Sequence, residues 1–380
     1  EDSVTFVNYF KNEEELKALH NSMASYMKNI CIGKQPYFYN ALDADNIEWT
    51  YQGFWTLDPE TYLPEESMVL DVNWAGFYDA IYIANVMIEN EYRFENISEE
   101  RAEFWLGQAH FCKAVAYFRL AQIWGDVPIS KGSESIAPEG KQPALKVLEE
   151  AIKEAKLALT LPVHEQLKDV DGKQITSKQY ASLGTVNTLL ANIYAWLGGL
   201  TREEKYWKEA EFYASEVIEG KAGFYDLESI DGLIANVFGK ARYSVETIFC
   251  IDNDPIDNDR QHETNFRPEF PGQMLMSYPY TTTDESAITS LAEDLWDDYT
   301  KIYVETVENI YPDEKDARRR EFWFQLGELT YPVTEWDDEA GDFVVVRREK
   351  SPCAHIAKWR DVIIQENTQI VQDRPVIATD

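Results

Sequence analysis

The segment 37–62 is rich in aromatic side chains, which are the groups that bind sugars by stacking. It holds eight aromatic residues in 26 positions, whereas aromatic residues make up 13% of the whole chain. Indole and phenol rings stack on the C–H faces of sugars, while neighbouring amides and carboxylates bind the hydroxyl groups. Because acidic and amide side chains also lie in this segment, its composition is typical of a carbohydrate site. The best stacking candidates are Trp49, Tyr51 and Trp55.

A second aromatic stretch lies at 265–280, where prolines interrupt any helical period and an arginine accompanies two tyrosines. A third contribution comes from Asn73 and Trp74, where an aromatic helical stretch starts and where the tryptophan could face either solvent or core. For every ring the alternative is packing against the protein body, because large aromatic side chains are mostly buried. The candidate ligand-binding residues are Trp49, Tyr51, Trp55, Asn73, Trp74, Arg267, Tyr278 and Tyr280.

Motifs for catalysis are weak. His262 and Glu263 lack the second histidine of an H-E-x-x-H zinc motif, and no glycine-rich nucleotide loop is present. Carboxylate pairs are unavoidable in a chain with 68 acidic residues, so they do not indicate a glycosidase. We therefore expect no catalytic residue and no cofactor. The alternative from another class is a polysaccharide hydrolase, which needs two carboxylates on either side of a glycosidic bond.

The acidic segment 252–259 has enough oxygen ligands to suggest a Ca²⁺ site. Counting from Asp252 places Glu263 at the twelfth position of an EF-hand loop. However, Ile256 and Asp257 occupy the positions that need a ligand and a glycine. The segment is therefore not an EF-hand, and a solvated acidic loop is favoured over a Ca²⁺ site.

The net charge of the chain limits its partners. With 35 basic and 68 acidic residues it carries −33 at pH 7. That charge repels phosphate backbones and anionic lipid, so nucleic acid and bare membrane surface are poor partners. The sequence contains no apolar run long enough to span a bilayer, and its four cysteines show neither a C-x-x-C pair nor metal spacing.

The strongest predicted element is a helix over 99–124. Ser98 is suited to its N-cap, and acidic residues in the first turn complement the helix dipole. Gly125 and Pro128 predict its end, because glycine accepts the left-handed conformation and proline cannot continue a helix. The helix is apolar on most sides, which is typical of a helix buried among others.

Capping signals predict further helices. A capping box at Thr176 and Gln179 predicts a helix through Trp196, which the pair Gly198-Gly199 should end. The helices beyond these have predicted bounds of 13–29, Pro64 to Asn90, Pro143 to about Pro162, and Thr201 to Gly220, the last with a capping box at Thr201 and Glu204.

Two helical hairpins follow from this order, one from 99–124 with 143–160 and one from 178–197 with 203–219. Each is similar to a tetratricopeptide unit, which buries its apolar face only by stacking on neighbours. Beyond 220 the pattern loosens. The predicted elements there are short strands at 246–251 and 343–346 and a helix at 287–309.

Two of these stretches resemble the SusD/RagB family of outer-membrane nutrient-binding lipoproteins. Residues 101–130 are similar to the family's long alanine- and aromatic-rich helix, which runs into a Y/W-G-D-V-P turn, here Trp124 to Pro128. Residues 72–90 are similar to the family's aromatic helix with its Y-x-x-I-x-x-A-N pattern. The resemblance covers nearly the whole chain and is densest at 67–130 and 178–227.

The resemblance implies a mostly α fold, a SusD-like scaffold of tetratricopeptide-like hairpins with a loop-rich remainder and minor β structure. It implies one domain over 1–380. The scaffold is expected at 10–30 and 65–220, the ligand-facing loop at 31–64, and a loop-rich half at 221–380 that lacks the family's last helices.

The resemblance also implies a function. Members bind a polysaccharide or oligosaccharide at the cell surface without catalysis and deliver it to a SusC-like TonB-dependent outer-membrane barrel. The expected location is the outer membrane, as a surface-exposed lipoprotein, held by an N-terminal lipid for which this chain has no residue. Relatives that capture peptides share the scaffold, so a non-glycan nutrient is a further alternative.

Overall fold

The protein is described by a computed structural model, and the account below concerns the residues whose placement it defines: 9–32, 74–134, 140–237, 244–251, 311–324, 330–350, 355–356, 362–363 and 374–375. The chain divides into two compact units, Glu1–Tyr225 and Asp226–Asp380, which are described separately. That all 380 residues form one domain stays a prediction.

The first unit is helical. Its helices are α1 (Glu13–Ile32), α2 (Ala75–Glu89), α3 (Glu99–Trp124), α4 (Ala144–Leu157), α5 (Leu183–Thr201) and α6 (Glu204–Ile218). A two-residue antiparallel ladder joins β1 (Val127–Pro128) to β2 (Lys141–Gln142) between α3 and α4. The mostly α fold class is therefore confirmed. None of the described helices is long and apolar enough to cross a membrane.

Helix α3 is the centre of the first unit. The Ser98 hydroxyl accepts a hydrogen bond from the Arg101 amide, and the helix ends at Gly125, whose φ is 68°. It packs against α1, α2 and α4, with Trp105 and Tyr117 each only 1% exposed. Both predicted ends and the burial of this helix are confirmed.

The predicted start of α5 at Thr176 was wrong. The capping box is formed by Ser182 and Thr185, so the helix begins at Leu183. Just before it, Ala181 pairs in both directions with the side-chain amide of Gln108: its N–H donates to Oε1 (2.9 Å) and its carbonyl accepts from Nε2 (2.8 Å). This pairing with α3 holds the backbone outside the helix.

The predicted end of α5 at Gly198 and Gly199 was also wrong, because the helix continues to Thr201. A Cβ on Gly198 would lie 2.6 Å from the Trp207 ring of α6, so this glycine serves close packing of the hairpin. The predicted capping box at Thr201 was likewise wrong. The Thr201 hydroxyl donates to the Leu197 carbonyl, and the N-cap of α6 is Glu203 without a side-chain cap.

Two other helix starts differ from the prediction. Helix α2 begins at Ala75, with Trp74 as a non-helical N-cap, rather than near Pro64. Helix α4 begins at Ala144, because Pro143 occupies the N-cap, and a 3-10 turn at Ala158–Thr160 follows its end at Leu157. Helices α3 and α4 pack together, as do α5 and α6, so both hairpins are present.

In the described part of the second unit, the longest elements are β4 (Thr330–Asp337) and β5 (Asp342–Lys350), which pair antiparallel. The extended structure predicted at 343–346 is therefore confirmed. The other elements there are β3 (Trp323–Phe324) with β6 (His355–Ile356), β7 (Val362–Ile363) with β8 (Arg374–Pro375), and short helical turns at Ile230–Gly232, Leu233–Val237 and Ala317–Glu321.

The strand predicted at 246–251 was wrong. The Ser244 hydroxyl accepts hydrogen bonds from the amides of Glu246 (3.0 Å) and Thr247 (3.3 Å), which folds the backbone into a local turn. Serine and threonine side chains of this kind compete with regular strand pairing. The helix predicted at 287–309 lies outside the described residues.

Candidate functional site

Trp74 is the one candidate ligand-binding residue within the described part of the chain. It is half-buried and stands at the start of α2, where its carbonyl accepts hydrogen bonds from the amides of Phe77 (3.1 Å) and Tyr78 (3.3 Å). The remaining candidates lie outside the described residues: Trp49, Tyr51, Trp55, Asn73, Arg267, Tyr278 and Tyr280. The acidic segment 252–259 and Glu263, considered for Ca²⁺, also lie outside them.

Three aromatic residues follow one side of α2 at intervals of four: Trp74, Tyr78 and Tyr82, called here the aromatic row. Four residues of α-helix rise about 6 Å, so successive rings stand about one helical turn apart. Trp74 and Tyr78 are half-buried, and Tyr82 is 52% exposed. The row therefore passes from the edge of the core to solvent.

The first ring of the row is held by neighbours from other elements. The Trp74 ring meets the Trp124 ring of α3 edge-on at 6.0 Å between centroids, and the Tyr78 ring at 6.2 Å. The Lys141 ammonium of β2 lies 5.5 Å from the Trp74 centroid. This arrangement holds the indole between its aromatic neighbours, with a cation over its ring.

The turn after α3 explains how these neighbours are placed. Gly125 ends α3, and the Asp126 carboxylate accepts a hydrogen bond from the Ala144 amide (2.8 Å), which caps α4. The carbonyl of Pro128 accepts a short hydrogen bond from the Tyr78 hydroxyl (2.6 Å). The W-G-D-V-P motif thus ends one helix, caps the next and fastens both to α2.

The segment that follows this turn continues along α2. The Ser130 amide donates to the Tyr117 hydroxyl (3.0 Å), and the Ser133 amide donates to the Glu89 carboxylate (3.1 Å). Burial raises the pKa of both Tyr78 and Tyr117, so both hydroxyls stay protonated across the physiological range. The surface beside the row is therefore fixed before any ligand arrives.

Sequence reasoning missed Tyr78, Tyr82, Trp124 and Lys141 as neighbours of Trp74. The two tyrosines carried a usable signal, because residues four and eight positions after Trp74 share its side of a helix. Trp124 and Lys141 carried none, since packing between distant parts of the chain brings them to Trp74.

A buried cluster of charged side chains lies between α3 and α4. Its residues are separated in sequence from those of the aromatic row. The Glu154 carboxylate is 2.6 Å from His110 Nδ1 and 2.8 Å from the Lys113 ammonium, and Glu154 is 2% exposed. His110 is therefore a hydrogen-bonded residue of the interface between α3 and α4. Within the described residues, no three His, Cys, Asp or Glu side chains are placed to hold a metal ion.

Comparison with known proteins identifies similar chains. A family model for SusD-like proteins, described as "Starch-binding associating with outer membrane", matches residues 1–198. A SusD-like protein of Bacteroides ovatus is 28% identical over 177 residues, which are 45% of this chain and 30% of that protein. The chain thus aligns with less than a third of that relative's length.

Solved structures share the fold. Two crystal structures of SusD homologues from Bacteroides thetaiotaomicron superpose with TM-scores of 0.65 and 0.63, at 18% and 19% sequence identity. The two superpositions cover 98% and 97% of this chain, and 71% and 74% of the chains of the homologues.

Proposed function

Because this chain belongs to the SusD-like family, we propose that it is a non-catalytic protein that binds a polysaccharide or oligosaccharide at the outer face of the outer membrane. The family description, starch binding in association with the outer membrane, supports this proposal. In this proposal the ligand is captured intact and is passed to a TonB-dependent barrel of the SusC type.

The aromatic row is the observation that carries the proposal. Trp74, Tyr78 and Tyr82 give stacking surface on a rigid helix, and the aromatic-rich segment 37–62 precedes them in the chain. Each ring stacked on a sugar contributes roughly 1–3 kcal/mol by analogy with base stacking. A row that is fixed in advance loses little conformational entropy on binding, which favours capture of a glycan chain.

The second hairpin supports the proposal of a protein partner. Its helices expose large apolar side chains: Trp196 and Leu200 on α5, and Trp207 and Phe212 on α6. Leu200 is 54% and Phe212 55% exposed. Exposed apolar side chains mark a protein interface where they form a contiguous patch. In the proposal this hairpin contributes to the contact with the barrel.

A glycan array with the purified chain tests the binding proposal. We expect retention of at least one polysaccharide or oligosaccharide, followed by release of the ligand with its length unchanged. Binding of peptides alone would contradict a glycan ligand. Release of reducing sugar, lost when one Asp or Glu is replaced, would show the alternative hydrolase.

Purification from native outer membranes in mild detergent tests the proposed partner. We expect a TonB-dependent barrel to be recovered with the protein. Substituting Leu200→Glu and Phe212→Glu together should reduce this recovery while glycan binding persists. Recovery of the protein without any barrel would contradict the delivery proposal and leave the glycan proposal to be judged by the array.

A further inference from the structure

We propose that the aromatic row selects an acidic glycan, whose carboxylate pairs with Lys141. This inference rests on the proposed glycan-binding function and adds the chemical class of the ligand. It names Lys141 as the residue that distinguishes acidic from neutral sugars. The sugar ring stacks at Trp74, and its carboxylate meets the lysine ammonium.

The position of Lys141 is set by the short ladder between β1 and β2. In that ladder Lys141 is the partner of Pro128, whose carbonyl is bound by the Tyr78 hydroxyl. The lysine side chain is exposed, with its ammonium 5.5 Å from the centroid of the Trp74 ring. One cation is thereby held beside the first ring of the row.

Lys141 has no carboxylate partner within 4.0 Å among the residues that the structure describes. The acid of the adjoining turn, Asp126, already accepts a hydrogen bond from the Ala144 amide. Several other lysines of the same unit do have such a partner, such as Lys113 with Glu154. In a chain with 68 acidic and 35 basic residues, a cation without a counter-ion beside a sugar platform is available to an anionic ligand.

The contact between Lys141 and Trp74 leaves the lysine free to turn. At 5.5 Å it lies near the outer limit of about 6 Å for a cation–π contact, so it holds the side chain weakly. A carboxylate at the edge of a stacked sugar offers the ammonium a charge-assisted hydrogen bond, which is stronger. A neutral sugar offers only hydroxyl groups, so the lysine discriminates between the two.

The acidity of the whole chain does not oppose this local attraction. Exposed charges are screened over about 8 Å at physiological ionic strength. Carboxylates that lie further than this from the row therefore act weakly there, whereas the ammonium acts in direct contact with the ligand.

The test compares acidic oligosaccharides with their own neutral derivatives. The probes are oligogalacturonate, oligomannuronate and glucuronate-bearing xylo-oligosaccharide, each beside the same glycan after reduction of its carboxylates to alcohols. Affinities are measured by isothermal titration calorimetry at low and high salt. At least one acidic form should bind about two- to five-fold more tightly than its neutral derivative, as expected for an exposed ion pair, and salt should remove the difference.

Lys141→Gln should abolish the preference, because it should lower the affinity for the acidic form much more than the affinity for the neutral form. The matched control is Lys168→Gln, which changes an exposed lysine of the same unit that has no carboxylate partner within 4.0 Å among the described residues and should keep the preference. A preference that survives Lys141→Gln, or tighter binding of every neutral form, would overturn the inference.

Failure of the inference is distinguishable from failure of the proposed function. If array glycans bind and Trp74→Ala weakens them, but no acidic probe binds more tightly than its neutral derivative, the function stands and the acidic class is wrong. If neither the acidic probes nor any array glycan binds, both the inference and the proposed function are wrong. Equal loss of neutral and acidic binding in Lys141→Gln would show a lysine that only positions the Trp74 ring, and would also overturn the inference.

Discussion

Replacing Glu154 by glutamine should lower the free energy of unfolding of the helical unit by about 3 kcal/mol, because it removes the negative charge of a buried cluster. The carboxylate of α4 contacts His110 and Lys113, both on α3, at 2.6 Å and 2.8 Å. The Lys113 side chain is 12% exposed, so water cannot replace its lost partner fully. The substitution therefore leaves a nearly buried ammonium without a counter-charge.

A loss of about 3 kcal/mol in the free energy of unfolding is expected on two separate grounds. Burial raises the pKa of Glu154, but the hydrogen bond from His110 and the charge and hydrogen bond of Lys113 outweigh it and lower the pKa from 4.5 to about 2. That fall corresponds to roughly 3 kcal/mol at 1.36 kcal/mol per pH unit. Removal of one member of a buried ion pair costs about 3–5 kcal/mol.

The sign of the pH dependence follows from the lowered pKa. The stabilisation is fully present above about pH 4.5, the ordinary value, and is lost as the pH falls toward about 2, where the native carboxylate takes up its proton. The difference in stability between the wild-type chain and Glu154→Gln should therefore persist above about pH 4.5 and shrink in acid.

Urea unfolding followed by helical circular dichroism measures the effect. The matched control is Glu150→Gln, whose partner Lys153 lies 2.8 Å away with a side chain that is 61% exposed. The control should lose less than about 1 kcal/mol, because exposed ion pairs contribute little. Equal losses in the two variants, or a difference that does not change between pH 5 and pH 3, would refute the reasoning.

Further substitutions test the surface beside the row and the second hairpin. Tyr78→Phe removes the hydrogen bond to the Pro128 carbonyl and should lower stability by about 1 kcal/mol; an unchanged urea midpoint would speak against this bond. Gly184→Ala would force a Cβ against the Tyr225 hydroxyl and should lower the melting temperature. Gly199→Ala meets open space in the same helix and should raise stability by about 0.5–1 kcal/mol; the opposite order in thermal melts would contradict both assignments.

Local signals in the sequence predicted those helix ends that depend on local chemistry. Helix α3 begins after Ser98 and ends at Gly125 as expected, because a side-chain cap and a left-handed glycine act within one turn. The start of α5 could not be predicted in this way. Thr176 carries a similar capping signal to Ser182, and the pairing of Ala181 with Gln108, 73 positions earlier, favours the later start.

Glycine has two roles that its sequence context does not separate. Gly125 ends a helix with a φ of 68°, whereas Gly198 lies inside one because the Trp207 ring needs the space of a side chain. A prediction from sequence treats both glycines as helix ends. The structure separates them through a contact with α6 that no local pattern contains.

The candidate site was predicted in part. Trp74 was identified from its place before a helix, and its row with Tyr78 and Tyr82 follows from helical spacing alone. The approach of Trp124 and Lys141 depends on the packing of α3 and on the β1–β2 ladder, so it needed the structure. The predicted residues outside the described part of the chain stay predictions.

The most direct test of the central claim is the affinity of a glycan found on the array for a chain that lacks the exposed part of the row. Trp74→Ala combined with Tyr82→Ala should weaken binding about tenfold or more in isothermal titration calorimetry, because two stacking rings are lost. Tyr92→Ala is the control, since Tyr92 is 83% exposed beyond the other end of α2, and it should bind as the wild-type chain does. Wild-type affinity in the double variant, or equal loss in the control, would contradict the account.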